Sequence, residues 1–157
     1  MTEATFAPTV AEVASYIRAR TKVAGGKEVG TFTENTRPTQ AEVELLIAQA
    51  VDHVGGAIGG DPCNEQLMQS AAAAAALYTA ILVEVSYFPE TSANTGSSAA
   101  RLEALFNGRM KSLSASVAEQ CGGQGTGGGE DGNSGAVAAG SFSDGYALIG
   151  RDWPERW

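Results

Sequence analysis

Apolar residues recur three or four positions apart in four segments of the chain, which predicts four α-helices. The first segment follows Thr9 and extends to about Ala19. The second follows Thr39, and its apolar stripe comprises Val43, Leu46, Ile47, Ala50, Val54 and Ile58. In both segments a glutamate stands three residues after the threonine, which is the capping-box pattern of a helix start.

The third segment is the longest and the most apolar. We predict that Asp61 caps it, that Pro62 stands at its first helical position and that Pro89 ends it. Its centre, residues 71–76, consists of six alanines. A helix that is apolar on every side and small in volume belongs in the middle of a bundle, with neighbours packed close to it. A buried core helix also explains this stretch better than a membrane span, because polar residues such as Gln69 interrupt it.

The fourth segment follows a polar loop, and Gly122 marks its end, since glycine commonly stands just past a helix C-terminus. We predict that one face of this helix carries the residues Leu102, Leu105, Phe106, Met110, Leu113 and Val117. Four helices with short connections predict an all-α fold, a small bundle of residues 1–121 around one long Ala-rich central helix.

The composition changes after the fourth helix. Between residues 122 and 135, eight of fourteen residues are glycine and none has an apolar side chain, which predicts a flexible linker over 122–139. Residues 140–157 are too few for a core of their own and too apolar to favour water. We predict that they form a docking arm; the alternative is a tail that folds back on its own bundle. The predicted partner-binding residues of the arm are Phe142, Tyr146, Leu148, Ile149, Arg151, Trp153, Arg156 and Trp157.

Charge is unevenly distributed along the chain. The formal net charge is −8, which argues against a dedicated nucleic-acid-binding protein. Residues 41–100 contain no Lys or Arg, whereas the first helix and the loop after it carry five basic residues between Arg18 and Arg37. The uneven distribution indicates either a solvated face without a role or head-to-tail packing of identical subunits, in which the acidic side of one subunit contacts the basic side of the next. The predicted subunit-interface residues are Arg18, Arg20, Glu42 and Glu44.

Candidate chemistry is sparse. His53 is the single histidine, and we expect it to be a packing or surface residue. Cys63 and Cys121 lack the CxxC spacing of a metal or redox site, and we expect two reduced thiols in an intracellular protein. The N-terminus lacks the basic and apolar regions of a signal peptide. The sequence therefore predicts no catalytic, cofactor-binding or metal site, and not an enzyme.

A local pattern precedes the second helix: Phe32-Thr33-x-x-Thr36-Arg37-Pro38-Thr39, followed by the apolar positions that begin with Val43. Together with the short first helix and the long Ala-rich third helix, it resembles the N-terminal part of head-to-tail adaptor proteins of long-tailed bacteriophages, also called connector or head-completion proteins. The resemblance covers about residues 8–120 and does not extend to the Gly-rich segment or to the end of the chain.

The resemblance implies a structural virion protein that is made in the host cytoplasm and acts at the head-tail interface. Such adaptors form a homo-oligomeric ring, typically a dodecamer, below the portal protein. They extend the DNA channel and hold the tail-side stopper or head-closure protein, and they have no cofactor and no membrane. DNA passes through without specific binding. The alternative is an unrelated helical protein-binding module, a regulator or scaffold whose C-terminal arm captures one partner. A third interpretation is a small enzyme that borrows residues across a subunit interface.

Overall fold

The computed structural model describes residues 6–89 and 96–122, and there the chain forms four α-helices. They are α1 (Val10–Tyr16), α2 (Gln40–Ile58), α3 (Glu65–Tyr87) and α4 (Ser98–Cys121). A short 3-10 turn, Arg18–Arg20, follows α1. The predicted all-α bundle is confirmed. The predicted linker beyond Gly122 and the predicted arm, 140–157, lie outside the described residues.

Both predicted capping boxes are confirmed. The hydroxyl of Thr9 accepts a hydrogen bond from the backbone N–H of Glu12, whose carboxylate accepts one from the N–H of Thr9. Thr39 and Glu42 repeat the arrangement at the start of α2. Because a capping box pairs two backbone N–H groups that a helix start leaves without partners, these short polar signals fix where α1 and α2 begin.

The predicted start of α3 is wrong by three residues. Asn64, not Asp61, is the N-cap, and its Oδ1 accepts a hydrogen bond of 2.9 Å from the N–H of Leu67. Asp and Asn are about equally good caps, and the Asn stands closer to the first apolar residue of the helix. Pro62 is buried in the connection before α3. The predicted end is confirmed, since α3 stops at Tyr87, two residues before Pro89.

Helix α3 is the centre of the bundle and contacts α1, α2 and α4. The side chains of Ala74 and Ala75 are completely buried. The buried hydroxyl of Thr79 donates a 2.8 Å hydrogen bond to the carbonyl oxygen of Ala75, so it is satisfied within the helix. In the described part of the chain, α3 is the one helix long and apolar enough to cross a membrane, and 56% of that stretch is buried inside the bundle.

An aromatic cluster joins three of the helices. His53 of α2 stacks on Tyr78 of α3, with ring centroids 4.3 Å apart and planes 9° from parallel. The ring of Phe106 on α4 lies 5.0 Å from that of Tyr78. His53 is at the exposed end of this stack, so it is a packing residue at the surface, as expected.

Cys63 and Cys121 form a disulfide, with their Cα atoms 5.7 Å apart, so the expectation of two reduced thiols is wrong. The two cysteines are 58 positions apart in sequence. Cys63 precedes α3 and Cys121 ends α4, and antiparallel packing of the two helices brings these ends together. Beside the bridge, the side-chain amide of Asn64 donates a 2.8 Å hydrogen bond to Gln120 Oε1. The spacing of cysteines along the chain gives no hint of a pairing that depends on helix register.

Replacing Ala74 or Ala75 by leucine should lower the free energy of unfolding by about 1–3 kcal/mol, because a closely packed core has no room for the added carbons. Ala73→Leu is the matched control: it lies in the same run but is only partly buried, and its effect should be smaller. Thermal melts followed by circular dichroism measure all three. Unchanged midpoints for the two buried sites would contradict central packing of this run.

The double variant Cys63→Ser/Cys121→Ser should have a free energy of unfolding about 2–4 kcal/mol lower than that of the oxidised protein, because the bridge restricts the conformations of the unfolded chain. Urea denaturation measures the difference. The wild type under reducing conditions is the control and should match the variant. Equal stability of the variant and the oxidised wild type would show that the bridge does not stabilise the bundle.

Candidate functional site

Arg20, one of the predicted interface residues, is bound within its own chain. Its Nε and Nη2 donate hydrogen bonds of 2.8 Å to the two carboxylate oxygens of Glu84. The guanidinium carbon lies 4.0 Å from the centre of the Phe88 ring. The Glu84 side chain is only 2% exposed, so Arg20 compensates a buried charge on α3. The hydrogen bond to Glu84 raises the pKa of Arg20. This pair ties the turn after α1 to the central helix.

Part of the charge segregation seen in the sequence thus serves an ion pair within the chain, between basic Arg20 and acidic Glu84. Arg18 lies two residues earlier in the same turn and is exposed. That Arg18 and Arg20 also contact a neighbouring subunit stays a prediction. Charge reversal at Arg20 does not isolate such a contact, since it also deprives buried Glu84 of its partner.

Glu42 and Glu44 stand at the start of α2 in different surroundings. Hydrogen bonds from the backbone N–H and hydroxyl of Thr39, and a weaker contribution from the Tyr87 hydroxyl, lower the pKa of Glu42. Partial burial makes the largest contribution to a raised pKa of Tyr87, and the hydrogen bond to Glu42 and its negative charge raise it further. Glu44 is exposed and accepts a 2.8 Å hydrogen bond from Gln40 Nε2. Glu42 is therefore engaged in the helix start, and Glu44 is the more accessible of the two to a partner.

The residues predicted for the docking arm lie outside the described residues, and their role stays a prediction. They are Phe142, Tyr146, Leu148, Ile149, Arg151, Trp153, Arg156 and Trp157.

A groove of about 630 Å³, here called the open groove, lies along α3 between α1 and α4. Helix α2 packs beside both α1 and α4, but those two do not contact each other within the described residues. The groove is the space left between these two helices, and the leucines of α3 beneath it are almost fully buried, with Leu67 3% and Leu77 2% exposed. Leu67, Ser70 and Leu77 form the floor of the groove, and Tyr16 at the end of α1 forms one wall.

Helix α4 forms the long wall of the open groove. Small residues occupy every fourth position there, namely Ala104, Gly108, Ser112 and Ser116. Leu105 also lines the groove and is 59% exposed, so the predicted apolar face of α4 extends beyond the part that the core covers. Helical spacing shows which side of a helix is apolar but not whether a neighbour covers it. Arg109 is the charged residue of the groove, and no described carboxylate lies within ion-pair distance of it.

A second exposed surface, here called the outer face of α2, lies on the other side of α3. It comprises Ala41, Glu44, Leu45, Ala48 and Asp52, all exposed, and Leu45 is 68% exposed. Sequence analysis missed this face, although a leucine outside the apolar stripe of an amphipathic helix is a signal that could have found it. The face carries two carboxylates, and α2 has no Lys or Arg.

The open groove and the outer face of α2 are surfaces that another molecule could contact. The open groove presents the exposed side chain of Leu105, serine hydroxyls and one guanidinium to a partner. In residues 6–89 and 96–122, no group of three or more His, Cys, Asp or Glu side chains could hold a metal ion.

Arg20→Ala should lower the free energy of unfolding by about 3–5 kcal/mol, because it leaves the buried Glu84 carboxylate without its partner. Arg18→Ala removes the same charge two residues earlier from an exposed position, where a change within about 0.5 kcal/mol is expected. Urea denaturation of both variants at neutral pH measures the contrast. Equal effects of the two would show that the Arg20–Glu84 pair does not hold the turn to α3.

No known protein family, curated protein or solved structure matched this chain.

Proposed function

We propose that this chain is a structural virion protein: a head-to-tail adaptor that forms a ring below the portal, extends the DNA channel and joins the capsid to the tail-side stopper. The observation that carries the proposal is the turn at residues 32–39, which resembles the adaptor pattern. Three of its residues are packed: Phe32 is 2% exposed, Thr36 is 4% exposed and Pro38 is buried, whereas Arg37 is exposed. The hydroxyl of Thr36 donates a 2.7 Å hydrogen bond to the carbonyl oxygen of Pro38 and accepts one of 2.9 Å from the N–H of Thr33.

The same turn sets the beginning of α2. The N–H of Gln40 donates a 3.1 Å hydrogen bond to the carbonyl oxygen of Thr33, and Thr39 caps the helix. The peptide bond between Arg37 and Pro38 is cis. The residues that carry the resemblance are therefore those that hold the turn together and start α2, as expected of a pattern that specifies a local structure.

Two further features support a structural role in a virion. A net charge of −8 suits a channel through which DNA slides, because carboxylates repel phosphates. The disulfide between Cys63 and Cys121 suits a protein that works outside the reducing cytoplasm, as virion proteins do. In this proposal the arm, residues 140–157, reaches the portal or a neighbouring subunit.

The alternative function is a helical protein-binding module, a regulator or scaffold. The open groove favours it, since apolar grooves between helices commonly accept an amphipathic helix of a partner. Native mass and negative-stain images separate the two functions. A ring supports the adaptor, and a monomer or dimer under all conditions favours the module.

A chain truncated after Gly135 should keep its helix content and melting curve but lose attachment to the portal protein from the same genome. The reason is that large aromatic residues and arginine dominate interface energies, with about 2 kcal/mol or more for each anchor. Pull-down against the portal and circular dichroism on the same sample measure both properties. The full chain with Trp153→Ala and Trp157→Ala is the companion variant and should bind weakly. Full binding by the truncated chain would remove the arm from the proposal, and unfolding would place the arm in the core.

A further inference from the structure

We propose that the outer face of α2 of one copy occupies the open groove of the next copy, so that one repeated contact builds the oligomer. This inference rests on the proposed function in one respect, namely that the chain is a homo-oligomer. It names the two surfaces that meet, and it assigns the basic side of the contact to Arg109.

The shapes of the two surfaces support this contact. The wall of the groove on α4 carries small residues at every fourth position, from Ala104 to Ser116, and small side chains let a second helix approach closely. On α2, Leu45 projects between Ala41 and Ala48, which stand four residues before it and three after it. One projecting apolar side chain between two low ones matches a groove whose wall combines small residues with the exposed side chain of Leu105.

The charges of the two surfaces are complementary. Helix α2 carries Glu42, Glu44 and Asp52 and no Lys or Arg, and Glu44 and Asp52 belong to its outer face. The open groove carries Arg109 and no described acidic residue lines it. Helix α4 as a whole has three basic residues and two acidic ones, Glu103 and Glu119. Opposite charges across a contact favour the correct partner and register, and like charges oppose the wrong ones. A carboxylate from α2 would therefore supply Arg109 with a counter-ion that the described part of its own chain does not.

The positions of the two surfaces decide the type of assembly. The groove and the outer face lie on opposite sides of α3, because α2 and the gap between α1 and α4 face each other across it. Two different surfaces on opposite sides give a heterologous, head-to-tail contact, which builds rings or open chains rather than a two-fold dimer. Each copy would also gain a helix that covers Leu105 of its own α4, which is 59% exposed.

Charge exchange on the full chain tests the contact. Arg109→Glu should weaken self-association, and Glu44→Lys/Asp52→Lys should do the same from the other side. An equal mixture of the two variants should assemble again, because each interface then joins opposite charges, and the assemblies should contain both chains in alternation. Light scattering and native mass spectrometry over a concentration series measure the result. The expected shift of the assembly midpoint is at least about tenfold for each variant alone.

Apolar variants test the shape of the contact. Gly108→Leu should fill the groove without strain in its own chain, since a Cβ at Gly108 meets nothing within 4 Å, and it should block assembly. Leu45→Asp should block assembly from the other side. Val85→Asp is the matched control, because Val85 is 48% exposed on α3 and does not line the groove. It should assemble like the wild type.

Several outcomes would overturn the inference: a wild type that stays monomeric, variants that assemble normally, or a mixture that does not recover. The alternative occupant of the groove is the arm of the same chain, residues 140–157. Both tryptophans lie in that arm, so tryptophan fluorescence tests this alternative. If Gly108→Leu shifts tryptophan emission in a monomeric sample, the arm of the same chain fills the groove instead. Portal pull-down decides the adaptor function separately. A ring that binds the portal but ignores the groove variants leaves that function standing and rejects this contact.

Discussion

The alanine run of α3 is the constraint on which the rest of the structure depends. A helix without large side chains can be covered only by neighbours whose axes come close to its own. Helices α1, α2 and α4 all pack on it, and Ala74, Ala75 and Ala80 have no exposed surface. Because the helix axes lie close together, the residue at which each neighbouring helix begins can vary little. The capping boxes at Thr9 and Thr39 therefore matter for the tertiary structure as well as for their own helices.

Two long-range links hold this arrangement at opposite ends of α3. The disulfide between Cys63 and Cys121 fastens α4 to the beginning of α3. The ion pair between Arg20 and Glu84 fastens the turn after α1 near its other end. A buried ion pair adds little net stability over an apolar pair of the same volume. Here the ion pair fixes the position of the turn after α1, because the guanidinium of Arg20 must lie where it can donate to both carboxylate oxygens of Glu84.

The features that could be predicted from the sequence are those decided within one or two helical turns. The starts of α1 and α2, the stripe from Val43 to Ile58 and the stop before Pro89 all depend on neighbours in sequence. The start of α3 was missed because Asp61 and Asn64 are competing local caps. The disulfide, the Arg20–Glu84 pair and the exposure of Leu105 were missed for a different reason. Each depends on which helices lie side by side, and neither periodicity nor residue spacing carries that information.

The open groove follows from the same constraint. Helix α1 has only seven residues, so it cannot cover the length of the 23-residue α3 as α2 and α4 do. The space beyond the end of α1 is the open groove, where Leu105 of α4 is 59% exposed and Leu67 and Leu77 of α3 are buried beneath it. A partner helix that covers Leu105 would be favourable, because burying apolar surface lowers the free energy. A short first helix thus leaves room for a helix from another chain, while the acidic α2 and the basic Arg109 restrict which helix that is.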